Sequence, residues 1–226
     1  MTRSDDPSRA PDVPAGRGGV PSRGGARRRA KPYDRDTALD AALTLFWEKG
    51  YHATSLRDLE AALQMKPGSI YAAFTSKEAL YLATLDRYFD RGRAALRARI
   101  ADAPTPLAGL AAYLRGFADS AGEGEGCRAC MLVKTLIDVT PDTPAIAARA
   151  RACLDAMQAE FAAAFARARD AGEIPPGADV ARLARRYQAD LTALRIEAHR
   201  RTAPAALRAL AEDMAADMER AGRGQG

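Results

Sequence analysis

Residues 54–80, TSLRDLEAALQMKPGSIYAAFTSKEAL, narrow the choice of fold more than any other stretch of the chain. Ser55 and Asp58 have the spacing of a capping box, with Thr54 an alternative N-cap, so a helix is predicted to open there. Leu56, Leu59, Ala62 and Leu63 fall at i, i+3, i+6 and i+7, the apolar stripe of a helix of about two to three turns. Pro67 suits the first position of a second short helix, where its missing N–H costs nothing. Ile70 and Phe74 give that helix its buried side and leave Gly68, Ser69, Tyr71 and Ala72 outward. Thr75 and Glu78 read as a second capping box, predicted to open a longer helix through Leu80, Leu82 and Leu85.

Two helices this short need a neighbour to cover them, and the upstream segment supplies one. Asp34 is a good N-cap, Ala38, Ala42, Leu45, Phe46 and Lys49 mark one helical face, and Gly50 suits the residue after a helix. Three helices with a tight turn between the second and third form a helix-turn-helix unit.

Residues 34–82 resemble the DNA-binding domain of TetR-type transcriptional repressors. The marks are Leu45-Phe46 before Gly50-Tyr51, then Thr54-Ser55, Tyr71, Phe74 and Lys77-Glu78 in that order. The remaining two-thirds of the chain matches by helical layout and length only. The resemblance implies a repressor dimer with a ligand cavity in its C-terminal domain.

The net charge of +5 is carried by one end: residues 1–33 hold eight basic and three acidic side chains, and the rest of the chain is balanced. Residues 1–32 are rich in Gly, Pro, Ser and Arg without periodicity, and are expected to be a disordered arm. Its last part, with Arg27, Arg28 and Lys31, is placed to reach an adjacent minor groove. No apolar run approaches the ~18 residues of a membrane span, and no secretory h-region is visible, so a cytoplasmic protein without membrane contact is expected.

Beyond Leu80 the pattern stays helical. A long connector toward Ile100 is broken by Pro104 and Pro106, and Leu107, Leu110, Ala111, Leu114 and Phe117 mark the next helix. Gly-Glu-Gly-Glu-Gly at 122–126 is a turn, after which Cys127 through Val139 is predicted as a mostly buried helix. Three amphipathic helices follow: one over 143–171, one marked by Val180 to Ala198, and one from Pro204 to Gly222. The class is all-α with about nine helices: an arm at 1–32, a helix-turn-helix domain at 33–80, and an effector-binding and dimerisation domain at 81–222. The last two helices are expected to pack against a second copy as a four-helix bundle.

For operator DNA, Lys66 and Lys77 are candidates for phosphate contact and Tyr71 for sugar and phosphate. Thr54, Ser55 and Arg57 lie at the positive end of a helix dipole, while Pro67, Gly68, Ser69 and Ala72 give the reading helix a small outer face. Lys66 is the main candidate for a base contact, with specificity leaning on the arm and on DNA shape. Tyr88, Tyr113, Phe117, Met131, Met157 and Phe161 are candidates to line a cavity for an apolar or weakly polar effector, each also at home in a core.

Cys127 and Cys130 form a CxxC pair beside Arg128, at a predicted helix start that favours thiolate, and are candidates for a thiol sensor or for small buried hydrophobes. With only His52 and His199 in the chain, no metal and no cofactor is expected. Two alternatives stand beside the regulator. One is a dithiol redox enzyme, disfavoured because such chemistry sits at a βαβ turn. The other is a DNA-binding protein without an effector.

Overall fold

The computed structural model describes residues 34–120 and 129–222; the basic arm with Arg27, Arg28 and Lys31, and also Cys127, lie outside the described residues. Among the described residues there are nine helices and no strand. They are α1 (Arg35–Lys49), α2 (Leu56–Leu63), α3 (Pro67–Phe74), α4 (Lys77–Asp102), α5 (Pro106–Ser120), α6 (Met131–Asp138), α7 (Pro144–Asp170), α8 (Val180–His199) and α9 (Pro204–Gly222).

Local chemistry sets most of these boundaries. Asp34 caps α1 by accepting from Asp36 N at 3.1 Å, and Gly50 ends it at φ +84°, a conformation that favours glycine. In the box that starts α2, Asp58 N donates to Ser55 Oγ at 3.2 Å and Ser55 N donates to Asp58 Oδ2 at 2.8 Å. Gln64 closes α2 in the left-handed region, and Pro67 opens α3.

The start of α4 differs from the expectation by one residue. Ser76, not Thr75, is the N-cap and accepts from Ala79 N at 3.0 Å. Thr75 instead ends α3 at φ +68°, an unusual conformation for a β-branched residue, so its hydroxyl is not positioned to pair with residue 78. The helix expected from Cys127 begins at Met131, with Cys130 in the N-cap position.

Two cores hold the helices together. The first gathers Leu39, Leu43, Phe46, Leu59, Ile70, Phe74, Leu80 and Leu85 of α1 to α4, and Met131, Leu132, Ile146 and Ala150 of α6 and α7 complete it. The helix-turn-helix therefore does not close its own core. Burial of each large side chain contributes about 1.5–3 kcal/mol, so α6 and α7 supply a real share of what holds α1. The second core joins α5, α7, α8 and α9 around Leu110, Leu114, Phe161, Phe165, Tyr187 and Leu194, with Tyr187 Oη donating to Leu110 O at 2.8 Å. Where α5 crosses α4, a Cβ on Gly109 would lie 2.7 Å from Ile100 Cα, so only glycine allows that approach.

Candidate nucleic-acid interface and interior cavity

The face of α3 follows from its short sequence. Ile70 and Phe74 turn inward at 1% and 4% exposure, which leaves Gly68, Ser69, Tyr71 and Ala72 exposed, together with Lys66 ahead of them. A Cβ on Gly68 would meet nothing within 4 Å, so this surface is flat and open to another molecule. Arg57 is exposed in the first turn of α2, and among the described residues neither Arg57 nor Lys66 has an ion pair or side-chain hydrogen bond. Free cations on a helix pair of this shape suit phosphate contacts.

Three other candidates have internal work. Thr54 is buried at 1% exposure and its Oγ1 donates to Gly50 O at 2.7 Å, so its hydroxyl is not part of the outer face. Ser55 is exposed, but its hydroxyl is held in the capping box with Asp58. Lys77 lies 4.5 Å from the centroid of the Tyr51 ring, and partial burial pushes its ammonium below the usual lysine range. Pro67 is half-buried at the start of α3.

α1 is fastened to the rest of the chain by polar contacts as well as by core. Arg87 of α4 donates Nε to Asp40 Oδ1 at 2.9 Å and Nη1 to Asp36 Oδ1 at 3.1 Å. From α6, Lys134 Nζ donates to the carbonyls of Trp47 at 3.0 Å and Glu48 at 2.8 Å, a cation on the negative end of the α1 dipole. Trp47 Nε1 donates to Ala129 O at 2.7 Å, and Tyr81 Oη lies 2.8 Å from Thr135 Oγ1.

Beside these contacts lies a cavity of about 330 Å3 between α1, α4, α5, α7 and α8. Tyr88, Tyr113, Phe117, Met157 and Phe161 all line it; Met131, expected with them, instead sits in the first core at 1% exposure. Also in the wall are Cys130, expected only as a thiol sensor or a small buried hydrophobe, and residues not expected at a site from the sequence, among them Leu43 and Trp47 of α1 and Gln188, Thr192 and Arg195 of α8. A signal for the last three exists: 188, 192 and 195 form a polar i, i+4, i+7 stripe beside the apolar stripe of Tyr187, Leu191 and Leu194. Trp47 meets Tyr88 edge-on, with centroids 5.0 Å apart and planes at 77°. Burial raises the Tyr88 phenol well above its ordinary range, so it is neutral at pH 7.

Residues 38–84 match the family model of the bacterial regulatory proteins of the tetR family, and residues 106–212 match that of the tetracyclin repressor-like C-terminal domain. The HTH-type transcriptional repressor ComR of Escherichia coli K12 is 39% identical over 161 residues, covering 70% of this chain and 76% of ComR. This chain belongs to the TetR family. It is a DNA-binding transcriptional regulator and not an enzyme. Among solved structures, the TetR-family regulator CifR, as a cysteine mutant complexed with a 26-bp operator duplex, is similar at TM-score 0.77 and 30% identity, covering 83% of this chain and 98% of CifR. Bacillus subtilis FadR, solved with stearoyl-CoA, shares the fold at TM-score 0.67 and 16% identity, covering 83% of this chain and 99% of FadR. Among the described residues of this TetR-family chain, no helix is long and apolar enough to cross a membrane and no His, Cys, Asp and Glu cluster is suited to a metal.

Proposed function

We propose that this TetR-family regulator represses by holding operator DNA as a homodimer and lets go when a small molecule fills the cavity. The observation that carries this reading is that the cavity wall includes Leu43 and Trp47 of α1, the helix that supports the DNA-reading pair α2 and α3. A ligand that prefers one position of α1 and α4 over another shifts the spacing of the two reading helices by that difference in affinity. Residues 1–32 then act as a basic arm, with Arg27, Arg28 and Lys31 at the minor groove; residues 33–80 read the major groove and residues 81–222 bind effector and partner. On α2 and α3, Arg57, Lys66 and Tyr71 take phosphates and sugars while Gly68, Ser69 and Ala72 allow close approach.

Dimerisation through α8 and α9 is supported by the small or apolar residues they leave exposed, Ala189 and Ile196 on α8 and Ala205 and Ala209 on α9. A twofold pair of this kind reads two half-sites one or more turns of duplex apart. A thiol-reactive effector is a second reading, favoured by Cys130, which lies in the cavity wall at the N-cap of α6.

A mobility-shift titration on the promoter region beside the chain's own gene tests the DNA reading. Affinity is expected to fall steeply with KCl, because each Lys or Arg contact releases counterions. Salt-independent binding, or none, would sink the assignment. The same assay with N-ethylmaleimide on the wild type and on a Cys127→Ser/Cys130→Ser double variant separates the two effector readings: release of the wild type that the double variant loses supports the thiol, and a wild type that stays on DNA after alkylation eliminates it.

A further inference from the structure

Among the described residues, the cavity holds one charge without a carboxylate partner. Two arginines line it; Arg91 is paired with Asp40 at 2.6 Å, and no Asp or Glu is in the wall. Arg195 has no ion pair among the described residues. Its Nη1 donates to Tyr88 Oη, and its guanidinium carbon lies 5.5 Å from the Phe117 ring centroid and 5.9 Å from that of Tyr88. Its Nε is buried with no hydrogen-bond partner, and so is Gln188 Oε1, two turns earlier on the same helix. Buried polar atoms left unpaired are rare in native proteins; the Arg195 Nε–H is a donor that an anion can satisfy, whereas Gln188 Oε1 is an acceptor and calls for a donor such as a ligand hydroxyl or water. The Tyr88 hydroxyl accepts from Arg195, and the Cys130 thiol lies within hydrogen-bond reach of both side chains.

Two aromatic rings soften the charge of a guanidinium but do not replace an anion. The neutral phenol of Tyr88 supplies none. Around this head the wall is apolar, formed by Leu43, Leu132, Leu154, Met157, Phe161 and Leu191, and the volume of about 330 Å3 is at the small end of organic-ligand sites.

We propose that the effector is an amphipathic organic monocarboxylate whose carboxylate is bound by Arg195 and Tyr88 and whose apolar body fills the cavity. This rests on reading the cavity as the effector site and replaces the apolar or weakly polar ligand expected from the aromatic residues alone. Guanidinium and carboxylate match in geometry and charge, and the mostly apolar surroundings strengthen such a pair relative to water. The carboxylate would touch Tyr88, whose ring packs on Trp47 of α1, which puts the bound charge one side chain away from the DNA-supporting helix.

The chain has a single tryptophan, Trp47, and it lies in the cavity wall, so its fluorescence reports occupancy directly. The full-length protein is titrated with decanoate and with 1-decanol, its neutral match in chain length. Decanoate is expected to bind at least about 30-fold more tightly, the lower limit for a buried charge-assisted pair. Arg195→Gln is expected to bring decanoate down to the level of decanol, and Arg195→Lys to retain part of the difference. The proposal is overturned if decanol binds as tightly as decanoate, if Arg195→Gln binds decanoate as the wild type does, or if octanoate, decanoate and dodecanoate all leave the fluorescence unchanged. The wild-type comparison decides even where a variant does not fold. Operator binding by ligand-free protein is read separately: its loss would sink the repressor reading and leave the anion site standing, whereas equal affinities for acid and alcohol would do the reverse.

Discussion

Trp47→Phe tests whether α1 is tied to the segment entering α6. Trp47 is 7% exposed, donates from Nε1 to Ala129 O at 2.7 Å, and meets Tyr88 edge-on. Phenylalanine keeps an aromatic edge for Tyr88 but loses the donor. A typical intramolecular hydrogen bond is worth about 1 kcal/mol net, and the carbonyl of half-buried Ala129 regains some water, which keeps this loss near the mean and not above it. The smaller ring also leaves roughly 40 Å2 of apolar surface unfilled, about 1 kcal/mol at 25 cal/mol per Å2. The two losses together are about 2 kcal/mol. For a chain of this size that lowers Tm by roughly 4–8 °C. The melt is followed by circular dichroism at 222 nm at one fixed protein concentration, because a dimer's Tm depends on concentration. A Tm lowered by less than about 1 °C would refute both the bond and the packing assigned to Trp47.

Two further outcomes are expected. The hydrogen bond from Lys49, then the backbone of Ser55, hold the Asp58 carboxyl well below the usual carboxylate range. A depressed carboxylate stabilises the folded state above its unfolded pKa of ~3.9, and that contribution is lost as pH falls toward its folded value. The urea midpoint of Asp58→Asn is therefore expected to fall less steeply than that of the wild type between pH 5 and 2.5, and equal slopes would contradict this. Gly109→Ala would drive a Cβ against Ile100 backbone and is expected to cost about 1–3 kcal/mol. By contrast Gly68→Ala, with nothing within 4 Å, is expected to raise Tm slightly through helix propensity and, on the proposed reading of α3 in the major groove, to weaken operator binding. A stability loss at Gly68, or none at Gly109, would overturn the packing described for each.

Short-range chemistry made much of the fold legible. Asp34, the Ser55 and Asp58 pair, Pro67 and Gly50 after α1 act within one turn of where they stand, so their effect can be read without knowing what packs on them. The shift from Thr75 to Ser76 at the start of α4 is a case where two adjacent hydroxyls offer the same local signal; packing of Phe74 and Leu80 into one core fixes which is used. Thr54 was ambiguous for a like reason. Its side chain suits either a cap or a phosphate, and only its burial against Gly50 O decides.

For the cavity, the aromatic residues of α4, α5 and α7 were visible as a group, while its chemistry was not. Trp47, Tyr88, Cys130 and Arg195 are far apart in sequence and meet only because α1, α4, the start of α6 and α8 converge. An arginine on a helix stripe is ordinarily a solvated charge, and nothing local says that this one faces an apolar chamber without an acid. The sequence by itself determined an all-α chain, most of its helix ends and its helix-turn-helix, because caps and periodicity are local interactions. Tertiary structure decided that α6 and α7 complete the core under α1, that Trp47 looks into a cavity, and that Arg195 lies within it with no carboxylate beside it among the described residues. Those facts depend on which distant side chains exclude water from one another, and that is settled only when the helices pack.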